Sequence, residues 1–310
     1  MANSTTGLFQ TVMAGANIAS ESLRFKNSFV DAIYWKYSPV VATPYTVLQI
    51  IVPTVNEGAV VDIQSGPIQP VDYSYNPTNI TLNRNFSVSF VVKSWDLVRT
   101  PTDLATIFIQ PNLEALLRKI NRTIVGLFTA ANFPNYALFT GTSTTASDFA
   151  RADIGTAWQN LVNAGVPVDT DITRVRMLVN PLSYSTMLSD PAYNQQFIVG
   201  DSAAVQAQQK ARLQMLYGAT VDYDQMLVPF NSGHQPAILM HQFAVAGVTA
   251  NSPPGGSNVK ESYIKLKDVI PVQIQFAYSM QDQGWVVHMH AMFGVAVVRP
   301  EMASLFQSLS

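Results

Sequence analysis

The chain has 310 residues, with 18 Lys and Arg against 20 Asp and Glu and no cysteine. Disulfides, zinc fingers, iron–sulfur clusters and thiol catalysis are therefore excluded, and a net charge of −2 offers no global basic field to recruit nucleic acid. Hydrophobic residues make up 48%, too many for a disordered chain, while charged residues make up only 12% against about 25% in typical soluble proteins.

Membrane-spanning helices do not explain the charge deficit, because no run of about 20 apolar residues occurs. Burial of much of the surface against other copies does, since interface cores are depleted in charge. At the N-terminus, MANSTTGLFQTVMAG lacks a basic region followed by an apolar core, so no secretory signal is evident. The four N-x-[ST] sites, at Asn3, Asn79, Asn85 and Asn121, accordingly read as chance matches in a protein made in a cytoplasm.

Residues 1–45 show scattered apolar anchors (Leu23, Phe25, Phe29, Ile33, Trp35) without a clear period, the pattern of an arm that packs on something else. Residues 46–95 read as strands: TVLQIIVP is rich in β-branched residues, Asn56 to Gly58 is a turn signal, and Phe86, Val88 and Phe90 alternate onto one face. Between them, Pro67, Pro70 and Pro77 make a proline-studded, hairpin-like excursion with no core of its own. Thr102 or Asp103 can cap a short helix, and Pro111 suits the first turn of a second. In that second helix Leu113, Leu116, Leu117, Ile120, Ile124, Leu127 and Phe128 fall at helical spacing, with Arg118, Lys119 and Arg122 on the other side.

A small-polar linker over 141–148 separates this from an α/β pattern. Residues 153–164 predict a helix stopped by Gly165 and Pro167, RVRMLVN a strand, and Pro181 the start of another helix. DSAAVQAQQKARLQMLYG predicts a helix capped by Asp201 or Ser202 and ended by Gly218, followed by a strand region in AILMHQFAVAGV and a loop over 251–258. The last part is β again. Val272, Ile274, Phe276 and Tyr278 share a face, Gln281 to Gly284 turns the chain, and WVVHMHAMFGVAVV returns as a long strand.

Chemistry is sparse. His288 and His290 share a strand face and could reach one metal ion, but no third ligand is evident from the spacing of His234 or His241. They read as ordinary polar residues on a half-exposed strand. Asp222 and Asp224 share a strand face without catalytic context, and read as a solvated edge or an intersubunit salt bridge. No phosphate-binding, dinucleotide, nucleophile-elbow or zincin motif occurs. No catalytic residue, cofactor or metal is expected.

The order of the pieces, with RVRMLVNPLSYSTML, PNLEALLRKI and the ending FGVAVVRPE, resembles a tailed-bacteriophage major capsid protein of the Hong Kong 97 type. The resemblance covers nearly the whole chain and implies an α+β fold in five parts. These are an N-terminal arm (1–51), an extended β loop overlapping a neighbouring subunit (52–95), a peripheral domain with a long spine helix (96–149), an axial α/β domain (150–264), and closing strands (265–310) that return to the central sheet or peripheral domain. It further implies self-assembly through pentamers and hexamers into an icosahedral shell around double-stranded DNA, formed in the host cytoplasm, without sequence-specific DNA binding or a membrane. A separate scaffold, a portal and a cement protein are the implied partners. No lysine occurs between Lys36 and Lys93, so a lysine-based covalent lock on the extended loop is not expected. Candidate intersubunit contacts are Arg118, Lys119, Arg122, Tyr73, Tyr75 and Arg84. The alternatives are an encapsulin-like compartment, a β-rich adhesin or tail component, and a metal-dependent enzyme using His288 and His290.

Overall fold

The computed structural model describes residues 10, 12–17, 20, 27–37, 47–53, 75–93, 105–134, 151–168, 174–190, 213, 215–227, 235–252 and 259–307. The turn at Asn56 to Gly58, Pro67, Pro70, Thr102, Asp103, the 141–148 linker, Asp201 and Ser202 lie outside the described residues, as do the prolines and glycines of the 251–258 loop.

The central sheet is built around β10 (Gly284–Val297), the longest strand. On one edge it pairs antiparallel with β3 (Arg84–Lys93), from Gly284 opposite Lys93 to Phe293 opposite Arg84. On the other edge it pairs first with β9 (Ile270–Ser279) and then, from Met292 onward, with β7 (Val245–Ala250). Met292 and Phe293 pair with both β3 and β7, which places those two strands on opposite edges. β8 (Lys260–Leu266) adds to β9 through a tight turn in which Lys267 and Asp268 both take left-handed backbone, at φ 53° and 56°.

The alternation read from the sequence holds on this sheet. Val287, Met289, Ala291 and Phe293 are fully buried on one face, with Val272, Ile274 and Phe276 beside them. That face lies under the long helix α2 (Gln110–Val125), whose Leu113, Leu117, Ile120 and Ile124 have no exposed surface. Pro111 sits in the first turn of α2, as expected. The two helices anticipated here are one continuous rod, because a π-helical turn (Ala105–Ile109) feeds directly into α2.

The second sheet has four strands among the described residues. β4 (Val175–Val179) pairs in parallel with β5 (Thr220–Tyr223), while β6 (Pro236–His241) and β11 (Ala303–Gln307) join antiparallel. Every residue of β6 and β11 is buried, so their sequences show no alternation. α3 (Arg151–Asn163) ends before Gly165, which takes φ 75° as the predicted stop requires. α4 (Pro181–Ser189) starts at the predicted proline, capped by the Asn180 side chain accepting from the Ser183 N–H at 2.8 Å. The helix foreseen up to Gly218 does not reach that end: residues 216–219 form a bridge-closed turn, with Tyr217 and Gly218 both at positive φ. The strand region in AILMHQFAVAGV is two strands in two sheets, because a single 3-10 turn (Gln242–Ala244) carries the chain from β6 to β7.

Residues 27–37 correct the expectation of an arm without a core. The short helix α1 (Ser28–Ala32) is buried on its own body: Phe29 and Val30 have no exposed surface, and Ile33 has 1%. Phe29 meets Phe128 at 5.2 Å between ring centroids, and Phe128 stacks on Phe133 at 5.1 Å. Tyr34 adds a single parallel bridge to β7, and the Trp35 ring lies flat against Gly247, where a Cβ would collide with it. Val12 and Ala16 are buried as well.

Asp224 ties these parts together. It has no exposed surface and accepts hydrogen bonds from the Ser28 backbone N–H (2.7 Å), the Met226 N–H (2.7 Å) and the Asn121 side-chain amide (2.9 and 3.0 Å). Its reading as a solvated edge residue is therefore wrong: β5 ends at Tyr223, and the next residue turns inward between α1 and α2. Asn121, with no exposed surface, is likewise no glycosylation acceptor.

β1 (Val47–Pro53) and β2 (Tyr75–Thr81) form a separate two-stranded antiparallel ribbon, the base of the expected excursion. It packs through its own small cluster, Ile50, Ile80 and Leu82 against Val248, Met292 and Val298. The ribbon crosses directly over β10 at Gly294, where an added Cβ would sit 2.8 Å from the Thr81 carbonyl carbon. Asp224→Ala is expected to lower subunit stability by about 3 kcal/mol, since it strands several buried donors at once; urea unfolding of dissociated subunits measures this. Gly294→Val is expected to leave the main core folded while raising the rate of proteolytic cleavage between β1 and β3, read by limited proteolysis and mass spectrometry.

Candidate interaction surfaces

The face of the central sheet away from α2 is polar. His288 and His290 sit there side by side, with ring centroids 5.2 Å apart in an edge-on arrangement. His290 is less exposed than expected, at 8%, and its Nε2 is hydrogen-bonded to the Gln273 side-chain oxygen directly across on β9. The Gln273 amide in turn donates to Glu261 (2.7 Å) and Tyr263 (3.0 Å) on β8, and the Tyr263 hydroxyl donates to the Ser252 carbonyl at 3.1 Å. A polar chain thus spans three strands. It satisfies groups that would otherwise be costly to bury, and gives His290 a structural role.

Among the described residues no group of three His, Cys, Asp or Glu is placed to hold a metal. His241 lies in the second sheet, where its Nδ1 accepts from the Phe243 N–H at 3.3 Å; His234 is outside the described residues. Asp222 faces Arg176 within the chain at 3.8 Å.

The basic residues of α2 split. Arg122 and Lys119 are exposed, Arg118 is half-buried, and the Lys119 ammonium sits 5.9 Å above the Phe86 ring. Arg84 is exposed at the start of β3, two residues from Phe86. The structure thus brings Arg84 and Lys119 to the same edge of the sheet. Tyr75 opens β2 opposite Pro53, and Tyr73 is outside the described residues.

Large apolar side chains are left uncovered at several places among the described residues, Leu182 and Met215 among them, and two of these places bear on assembly. Val47 (52% exposed) and Ile51 (53%) face outward from the ribbon, and Met280 (87%) with Tyr278 (49%) crowns the β9–β10 turn. Of the features missed, Gly294 carried a readable signal, an isolated glycine in a strand pattern.

Burial and the neighbouring His288 both hold the His290 pKa below the ordinary value of 6.5. An unfolded chain takes up that proton near pH 6.5, the folded chain only at lower pH, so stability from this group is present above that pH and is lost as pH falls through the folded value. Chemical unfolding at pH 7.5 and at pH 5 is expected to show a loss in the wild type that is smaller in His290→Gln.

No protein-family model matches the chain, and no curated protein matches it. Solved structures do. A chain of Mycobacterium phage Che8 superposes with a TM-score of 0.62 at 17% identity, covering 90% of each chain. The capsid of cyanophage P-SCSP1u gives 0.58 at 12% identity, over 86% of this chain and 84% of that one. The mature capsid of bacteriophage PhiM1 gives 0.55 at 12% identity, over 93% and 88%. At such identities the likeness is one of fold: an α+β fold shared with the P-SCSP1u and PhiM1 capsid chains and with the Che8 chain.

Proposed function

We propose that this chain is the major coat subunit of a tailed phage, of the Hong Kong 97 type, whose copies assemble through pentamers and hexamers into an icosahedral shell enclosing double-stranded DNA. The observation that carries the reading is that the likeness to phage coat chains runs through about nine-tenths of both partners, for example 93% and 88% with the PhiM1 capsid chain, so the folds correspond as wholes. Three physical features support it. Charged residues are scarce, the ribbon rests on a small cluster apart from the main core, and apolar side chains stand exposed at the ribbon and at the β9–β10 turn. Each suits a subunit that meets neighbours on several sides.

In this reading the protein is structural and not an enzyme, resides in the virion, and assembles in the host cytoplasm beside a scaffold, a portal and a cement protein. Arg118, Lys119, Arg122 and Arg84, with Tyr73 and Tyr75, contribute contacts between copies. The extended stretch between Lys36 and Lys93 carries no lysine, so the shell is held without covalent links from it.

The test is electron microscopy of the purified protein, with its nucleic acid measured after nuclease treatment. Uniform closed shells or ring-shaped capsomers that dissociate to single chains in hot detergent are expected, with protected double-stranded DNA in particles from infected cells. Fibres or tubes would point to a tail or adhesin component, and shells filled with an enzyme to a compartment. A monomer holding stoichiometric metal that is lost in His290→Ala would overturn the structural role altogether. Within assembling protein, Lys119→Glu with Arg122→Glu is expected to lower shell yield severalfold while leaving the melting temperature of dissociated subunits unchanged.

A further inference from the structure

Beneath the ribbon lies a cavity of about 260 Å³ where three parts of the chain meet. Tyr34 and Tyr37 reach it from the N-terminal segment, Ile51 from β1, Phe243 from the turn between β6 and β7, and Arg299 from just beyond β10. The Tyr34 ring meets Tyr37 at 4.9 Å and Phe243 at 4.8 Å between centroids, both edge-on, so one wall is continuous aromatic surface.

The backbone behind this wall is fixed by hydrogen bonds. The Tyr34 N–H donates to the Val245 carbonyl at 3.1 Å, and the Tyr34 carbonyl accepts from the Gly247 N–H at 2.8 Å. The Arg299 N–H donates to the Ala244 carbonyl at 3.2 Å, and the Arg299 carbonyl accepts from the Met302 N–H at 3.1 Å. Ile51 differs, since it lies on the ribbon and is 53% exposed. A cavity with bonded walls and one uncovered side can admit a molecule from solvent without rebuilding the core.

Arg299 sets the charge of that molecule. Its side chain is half-buried, and among the described residues no carboxylate pairs with it. Tyr37 supplies no counter-charge: burial and the neighbouring Tyr34 push its phenol above the ordinary value of 10, against the opposite pull of Arg299, so it stays protonated at neutral pH. A cation so placed calls for an anion, because it has lost part of its hydration without gaining a partner. The guanidinium fork matches a carboxylate best, through two parallel N–H···O bonds.

Size and lining set the rest. The volume falls below the range of about 300–1,000 Å³ usual for drug-sized ligands, which leaves room for one ring and its carboxylate. The tyrosine and phenylalanine rings favour a flat aromatic partner over a branched chain. A bare inorganic anion would leave the aromatic wall unused.

We propose that the cavity is a binding site for a small aromatic monocarboxylate, with its ring against Tyr34, Tyr37 and Phe243 and its carboxylate on the Arg299 guanidinium. A molecule held there touches the N-terminal segment, the ribbon and the junction between the two sheets at once, so its binding ties the ribbon to the body. The site belongs to a single subunit and does not depend on the coat reading.

Benzoate and benzyl alcohol, which share a ring and differ in charge, are the probes. Each is titrated into the full-length protein, as dissociated subunits at constant ionic strength, with binding read by ligand-observed nuclear magnetic resonance. Benzoate is expected to bind saturably and at least about tenfold more tightly than benzyl alcohol, the scale of one charge-assisted contact. Arg299→Leu is expected to remove that preference while melting with the wild type, and Arg122→Leu, on the exposed face of α2, to keep it. Should Arg299→Leu melt early, Arg299→Lys carries the same test: it retains the charge, loses the fork, and is expected to weaken benzoate severalfold. The inference is overturned if benzoate does not saturate, if the two probes bind equally well, if both Arg299 variants hold benzoate as the wild type does, or if Arg122→Leu loses as much as Arg299→Leu.

Discussion

A carboxylate removed entirely from water must be met by donors on every side, and Asp224 is met from two distant stretches of chain, the start of α1 and the middle of α2, as well as from its own turn after β5. The two distant donors come from far away in sequence. Ser28 lies 196 residues away and Asn121 lies 103 away. The group therefore stays buried only if the N-terminal segment, the long helix and the second sheet arrive together. This makes the condition for placing α1 the same as the condition for joining the two sheets, and Phe29, next to the Ser28 donor, continues the junction through ring contacts to Phe128 and on to Phe133.

From that junction the rest of the molecule sorts by what each surface can leave unsatisfied. The inner face of the central sheet is closed by α2. The outer face is closed by hydrogen bonds running from His290 through Gln273 to Glu261 and Tyr263, so it can be partly buried without an apolar cover. The ribbon is closed by neither. It sits on a cluster of its own, with outward-facing Val47 and Ile51 in solvent. An α+β body with a well-satisfied centre and an incompletely covered extension fits a subunit whose remaining free energy is gained from its neighbours.

Much of this was legible in the residues. The 3.6-residue spacing from Leu113 to Ile124 marked α2, Asn180-Pro181 marked the start of α4, and the alternation along β10 separated the histidine face from the core face correctly. These are local signals, carried by neighbours within one or two turns. The failures share a cause. Phe29, Val30 and Ile33 have no period because α1 is a single turn wedged into a cleft made by other elements, so burial there is set by distant partners. Asp224 looked like its neighbour Asp222 because alternation continues past the end of β5 on paper and stops there in space. His290 looked half-exposed because its partner Gln273 is visible only once β9 is laid beside β10. The basic cluster on α2 was found as a group, but its splitting into an exposed pair and a half-buried Arg118 depends on packing.

The path of the backbone between the two sheets has a consequence for how the molecule is made. β3 belongs to the first sheet, β4 to β6 to the second, β7 to β10 to the first, and β11 to the second again. On the ribosome, among the described strands, β3 has no partner until β10 emerges, and β6 keeps a bare edge until β11 emerges. Neither half can mature ahead of the other. Until translation has run nearly through the last strand, the nascent chain therefore carries unpaired strand edges, the surfaces most prone to pair with another chain.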